Sequence, residues 1–208
     1  MEALIYWVGL VAVAVGALAG VLESARKQMD LIGAVLVGVA TALGGGTVRD
    51  VLMSRPIFWV LDQSYLMAAV LTGVISFFVV RRREIPLRLL LIPDAIGLAL
   101  FTAIGTQLAL QWQAPWLVAS LMGVTTGVVG GVLRDILCND VPLIFLKGEL
   151  YATAAWAGAL ALIGLQAIGV DPVVAAWCGM AIVLGLRLAA MIFHITMPAF
   201  ASSQQDKS

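Results

Sequence analysis

Gly44-Gly45-Gly46-Thr47-Val48-Arg49-Asp50 interrupts an apolar run with a glycine triplet and follows it with a charge pair. Shifted by 85 residues, Val129-Gly130-Gly131-Val132-Leu133-Arg134-Asp135 repeats the pattern, and eight of fifteen positions are identical between Gly38 to Leu52 and Gly123 to Leu137. Glycine in a helix interior costs roughly 1 kcal/mol against alanine, so each cluster predicts a local break in the backbone ladder. In hydrocarbon such a break is tolerated only where it lines a cavity. An arginine or aspartate at the bilayer centre costs about 2.5–3.5 kcal/mol on insertion scales, and such residues normally face a bundle interior or water. A broken helix beside a charge, present twice, points to a pathway through a membrane.

The rest of the composition agrees. Of 208 residues 62% are hydrophobic and 12% charged, with a mean hydropathy of +1.05. Soluble domains carry about 25% charged residues, so this is an integral membrane protein. A net charge of zero leaves no basic face for nucleic acid. Cys138 and Cys178 lie in apolar surroundings without CxxC spacing and read as buried free thiols. No metal cluster, nucleotide motif or nucleophile with a base is present, so neither an enzyme nor a cofactor is expected.

Apolar stretches of about 20 residues, the length that spans a bilayer, fall at 4–22, 31–53, 64–80, 89–110, 116–138, 150–169 and 173–195. The expected fold is therefore an all-α membrane protein of seven transmembrane helices. The first stretch reads as a retained helix, because no lysine or arginine precedes it as a signal peptide requires. Arg26, Lys27, Arg81, Arg82, Arg83, Arg88, Lys147 and Lys207 fall on one side of this arrangement, and only Arg55 on the other. The positive-inside rule then puts the amino terminus outside and the carboxyl terminus in the cytoplasm. Trp7, Trp59, Trp112, Trp116 and Trp177 cluster at the outer ends as interfacial anchors.

The repeat extends further, since Gly20 matches Gly105 at the same offset and Pro56 and Tyr65 match Pro142 and Tyr151 after a one-residue insertion. Each copy holds three spans, and an odd number makes the second copy enter upside down, an inverted repeat. The expected organisation is a first repeat at 1–80, a basic cytoplasmic linker at 81–88, a second repeat at 89–170, a seventh helix at 171–196 and a flexible tail at 197–208. Arg81, Arg82, Arg83 and Arg88 in the linker serve orientation, with anionic lipid headgroups as a further use.

The second and fifth spans supply the polar residues expected at the centre. These are Thr41, Thr47, Arg49 and Asp50, and Thr125, Thr126, Arg134 and Asp135. Neighbours on a helix point about 100° apart, which predicts crossed pairs, Arg49 with Asp135 and Arg134 with Asp50. Inverted copies put the two motifs toward opposite faces, and each pair then occupies its own vestibule with the glycines and threonines between them. Both arrangements fit the spacing. Freed carbonyls at Gly44 to Gly46 and at Gly130 and Gly131 would suit a cation, against the repulsion of Arg49 and Arg134. Asp94 after Pro93 reads as a cap at the start of the fourth span. Glu23, Glu149 and His194 read as interfacial. Small residues at four-residue spacing, Gly16 and Gly20, Ala95, Ala99 and Ala103, and Gly123 and Gly127, allow close helix packing.

The paired motifs, with Arg55-Pro56 and Pro142 following, resemble the bacterial membrane-protein family named glycine transporter, which is homologous to the trimeric intracellular cation channels. Met29-Asp30-Leu31-Ile32-Gly33 and Asp94-Ala95-Ile96-Gly97 are similar to the family pattern as well. The resemblance implies two inverted three-helix bundles plus a seventh helix, assembled as a homotrimer. It also implies one pore per protomer, between the glycine-kinked second and fifth spans, passing potassium and less readily sodium. The pore-lining residues would be Thr41, Gly44, Gly45, Gly46, Arg49 and Asp50, with Thr126, Gly130, Gly131, Arg134 and Asp135. Val129 stands where a full second triplet would have glycine. The alternative is a secondary carrier of glycine or a similar small zwitterion, since inverted repeats with broken helices also describe transporters.

Overall fold

The structure is a computed structural model and describes residues 2–82, 86–146 and 150–195. Its long helices are α1 (Glu2–Arg26), α2 (Leu31–Leu52), α4 (Gln63–Val80), α5 (Leu87–Gln111), α6 (Trp116–Leu137), α7 (Ala152–Ala167) and α8 (Pro172–Phe193). A short helix α3 (Phe58–Leu61) follows α2, and a single 3-10 turn, Leu143–Phe145, follows α6 at the corresponding place. Six helices are long and apolar enough to cross a membrane, and α7 is a shorter apolar helix. The chain is an all-α membrane protein of seven spans. Of the expected linker residues, Arg83 and the side chain of Arg88 lie outside the described residues, as do Lys147, Glu149 and the tail at 197–208.

Local chemistry sets the helix starts. Asp30, Asp62 and Asp171 each cap one, accepting from the backbone N–H of Gly33, Ser64 and Val173 at 2.7, 2.9 and 2.9 Å. The ends repeat with the sequence. Ser54 and Asn139, one position beyond the caps of α2 and α6, take left-handed φ of 52° and 56°. The N–H groups of Arg55 and Asp140 then reach back to the carbonyls of Asp50 and Asp135, both at 2.8 Å. Gln28 and Gln113 do the same after α1 and α5, with φ of 55° and 61°. Each of these pairs is 85 residues apart, so the duplication is written in the backbone as well as in the motif.

The centre of the bundle is the crossing of α2 over α6. A Cβ at Gly45 would collide with the carbonyl oxygen of Thr126, and one at Gly130 with that of Thr41. Thr41 and Thr126 are also gripped from within their own copies, because Gly20 of α1 lies against Thr41 and Gly105 of α5 against Thr126. Their hydroxyls donate back to Val37 and Met122 of their own helices, at 2.7 and 2.6 Å. The expected break is therefore absent. Both helices run uninterrupted through the glycines, whose missing side chains let two backbones touch.

Some interfacial readings change. Glu23 is buried, holding Arg26 at 2.8 Å, and Cys178 is exposed while Cys138 is buried. Lys27, after α1, pairs with Asp140, after α6, at 2.7 Å, and this hydrogen bond holds the Asp140 carboxyl below the ordinary aspartate range. A folded-state value lowered in this way contributes stability above the unfolded value near pH 3.9 and loses it as pH falls through the lowered one. Because the pair is solvated, Lys27→Ala should cost no more than about 0.5 kcal/mol. Thermal unfolding in detergent should show that difference at pH 7 and none in strong acid.

Candidate functional site

At the end of α2, Arg49 pairs with its own neighbour. Its Nε donates to Asp50 Oδ1 at 2.8 Å and its Nη2 lies 2.7 Å from the same oxygen. Asp50 Oδ2 accepts the backbone N–H of Phe58 at 2.9 Å, which pins α3 to the motif. Arg134 and Asp135 form the same pair at 2.8 Å, with Leu143 N–H on Asp135 Oδ2 at 2.9 Å. The crossed pairs do not form. At the crossing Gly45 meets Thr126 and Gly130 meets Thr41, so the rise of 1.5 Å per residue puts Arg49 and Arg134 about 18 Å apart along the bundle. The long arginine side chain bridges the 100° between neighbours, and the arrangement of separate vestibules is the one observed.

The two vestibules differ. Beside Arg49 lies a cavity of about 210 Å³ lined by Arg49, Asp50, Phe58, Tyr65, Phe101, Trp112 and Thr126 among others. Aromatic faces complete the surroundings of the cation: the Arg49 guanidinium lies 5.8 Å from the Phe58 ring centre and 5.6 Å from that of Trp112, which also faces Arg55 at 5.1 Å. Trp59 donates to the Thr47 hydroxyl at 2.9 Å. Trp112 thus belongs to this site and is more than an interfacial anchor.

On the Arg134 side the space is small, a cavity of about 20 Å³, room for one water-sized particle, among Thr41, Asp94, Phe101, Gly130 and Gly131. Asp94 is no cap. It sits inside α5, one residue beyond an internal Pro93, and accepts from Arg134 Nη1 at 2.7 Å and from the Tyr151 hydroxyl at 3.2 Å. Arg187 of α8 approaches its other oxygen at 3.7 Å and lies over the Tyr151 ring at 4.7 Å. Pro93, which interrupts the α5 ladder, lines the small cavity. By the 85-residue correspondence Asp94 stands where the first copy has Gly9. That difference, together with Arg187 from α8 outside the repeat, gives the second copy a salt-bridged cluster where the first has a cavity.

Of the residues singled out from the sequence, Gly46, Arg49, Asp50 and Thr126 border the larger cavity, and Thr41, Gly130 and Gly131 the smaller. Gly44 and Gly45 face α6 at the crossing, and Arg134 and Asp135 lie in the salt-bridged cluster. Arg81 and Arg82 are exposed after α4, away from both cavities. The sequence reading missed Arg187, although it is a lone cation inside the apolar run 173–195. It also missed two helical stripes that wall both cavities. On α5 these positions are Asp94, Gly97, Leu98, Phe101, Ile104, Leu108 and Trp112, and on α1 Ile5, Gly9, Val13, Gly16 and Ala19. Their spacing of three and four is the signal that marks one helix face.

A sequence profile of the family described as Glycine transporter matches residues 6–81 and 91–167. The chain belongs to the glycine transporter family. This family member is 39% identical to the UPF0126 inner membrane protein YadS of Escherichia coli (strain K12), over 98% of this chain and 100% of that protein. Its fold matches that of the TRIC trimeric intracellular cation channel orthologue from Rhodobacter sphaeroides with a TM-score of 0.88 and 36% identity, covering 92% of this chain and 99% of that one. A second solved structure, of a TRIC cation channel, matches with a TM-score of 0.83 and 32% identity over 94% and 97% of the two chains. The glycine transporter family member described here therefore shares its fold with the TRIC channels.

Proposed function

We propose that the chain is a passive cation channel, permeable to potassium and less readily to sodium, with one path in each protomer of a homotrimer. The observation that carries this reading is the pair of cavities on either side of the α2–α6 crossing, the larger lined by Arg49 and Asp50 and the smaller by Gly130 and Gly131 of the second copy. The path is bounded by α1, α2, α5 and α6, a wider wall than the second and fifth spans alone. Neutralised arginines leave it near zero net charge, which fits weak selectivity among cations. The reading includes an inner-membrane location with the amino terminus outside, no enzymatic activity, no cofactor, repeats divided near 81–88, and contact of Arg81, Arg82, Arg83 and Arg88 with anionic headgroups.

A second reading, a carrier of glycine or a similar zwitterion, is favoured by the Arg49 guanidinium in a cavity of about 210 Å³, where a substrate carboxylate would meet it. Recording from the purified full-length protein in planar bilayers under a potassium gradient, with glycine on one side, separates the two. Discrete currents that reverse near the potassium potential and ignore glycine are expected. A silent bilayer together with glycine uptake into proteoliposomes would establish the carrier. In the channel, Arg49→Gln removes a fixed positive charge and leaves Asp50, so cation conductance should rise roughly twofold or more. In a carrier the same change should abolish uptake.

A further inference from the structure

Phe101 is the residue whose side chain borders both cavities. It lies on the α5 stripe between Leu98, which faces the smaller space, and Ile104, which faces the larger. The ring packs against the apolar cluster of Val13, Ala17, Ala42 and Leu43 and is partly buried. By the 85-residue correspondence its counterpart is Gly16 of α1. The two positions meet: ring atom Cε2 lies 3.2 Å from where a Cβ on Gly16 would stand. The duplication therefore places a notch in one copy and a ring in the other, and the ring fills the notch at the level where the two cavities would otherwise join.

We propose that Phe101 is the gating constriction of the permeation path, closed in this structure by its ring lodged against Gly16. The inference rests on the channel reading above. An ion leaving the Arg49 vestibule can be solvated by water in a cavity of about 210 Å³, whereas the ring supplies no lone pair to replace that shell. Apolar constrictions of this kind block by dewetting and open when the apolar group moves aside. Phenylalanine on a helix has two common χ1 wells, so passage requires the ring to leave the Gly16 notch for the second one. Conductance is thereby set by a side chain that carries no charge and lies outside the duplicated motif.

The test is single-channel recording of the full-length protein and two variants under the same potassium gradient, with folding checked by the thermal midpoint in detergent. Phe101→Ala is expected to raise open probability or unitary current roughly threefold or more, and Phe101→Trp to lower it by a similar factor. If the parent protein conducts and both folded variants match it in current and open probability, the gate is overturned and the channel stands. If parent and Phe101→Ala are both silent in bilayers and in proteoliposome potassium flux, the channel reading falls, and the gate with it. Should Phe101→Ala not fold, Phe101→Trp decides: unchanged current overturns the gate, and reduced current supports it.

Discussion

Replacing Asp94 by asparagine is expected to lower the stability of the folded protein by about 3–5 kcal/mol, the range for removing one partner from a buried ion pair. Among the described residues the cluster holds two cations, Arg134 and Arg187, and two anions, Asp94 and Asp135, with both arginines fully buried. Asparagine keeps the shape and an acceptor for Tyr151 but takes away the carboxylate that Arg134 holds at 2.7 Å and Arg187 approaches at 3.7 Å. The double variant Asp94→Asn with Arg187→Gln removes one cation along with the carboxylate it faces, and a double-mutant cycle reads the coupling between the two. Thermal unfolding in a mild detergent measures all three proteins. Equal midpoints for Asp94→Asn and the parent would show that the Asp94 carboxylate contributes no net stability to the cluster.

Asp94 also shows where sequence reasoning stops. The spans were legible because twenty apolar residues have few alternatives, and the inverted repeat because its motif is duplicated with its charges. Pro93 before an aspartate reads as a helix start, yet α5 begins at Leu87 and carries the proline in its interior. What permits that is the small cavity beside it, a tertiary feature with no local signature. The charge pairing was open for a related reason. The rule that neighbours on a helix face apart holds for short side chains, and the arginine stem overrides it once the motifs are separated by the crossing.

The glycine clusters show the same ambiguity and carry the second large effect. Gly45→Ala or Gly130→Ala should each cost about 3 kcal/mol, the upper range for overpacking, because the atom each new methyl meets is a backbone carbonyl that no rotamer change can move. The whole crossing must widen, so the cavities on either side should change as well as the stability. Gly44→Ala is expected to be milder, since its methyl would meet only the tip of the Leu133 side chain. That difference accounts for the incomplete second triplet: Val129 replaces Gly44 in the correspondence, and Leu133 is matched there by the shorter Val48. Gly164→Ala is the control, on α7 with nothing near the added methyl, and it should be neutral or stabilising by up to about 1 kcal/mol through helix propensity. If all four variants unfolded at the same midpoint, the glycines would be acting through backbone flexibility and not through contact. A local break in the backbone ladder would then be the better account of them.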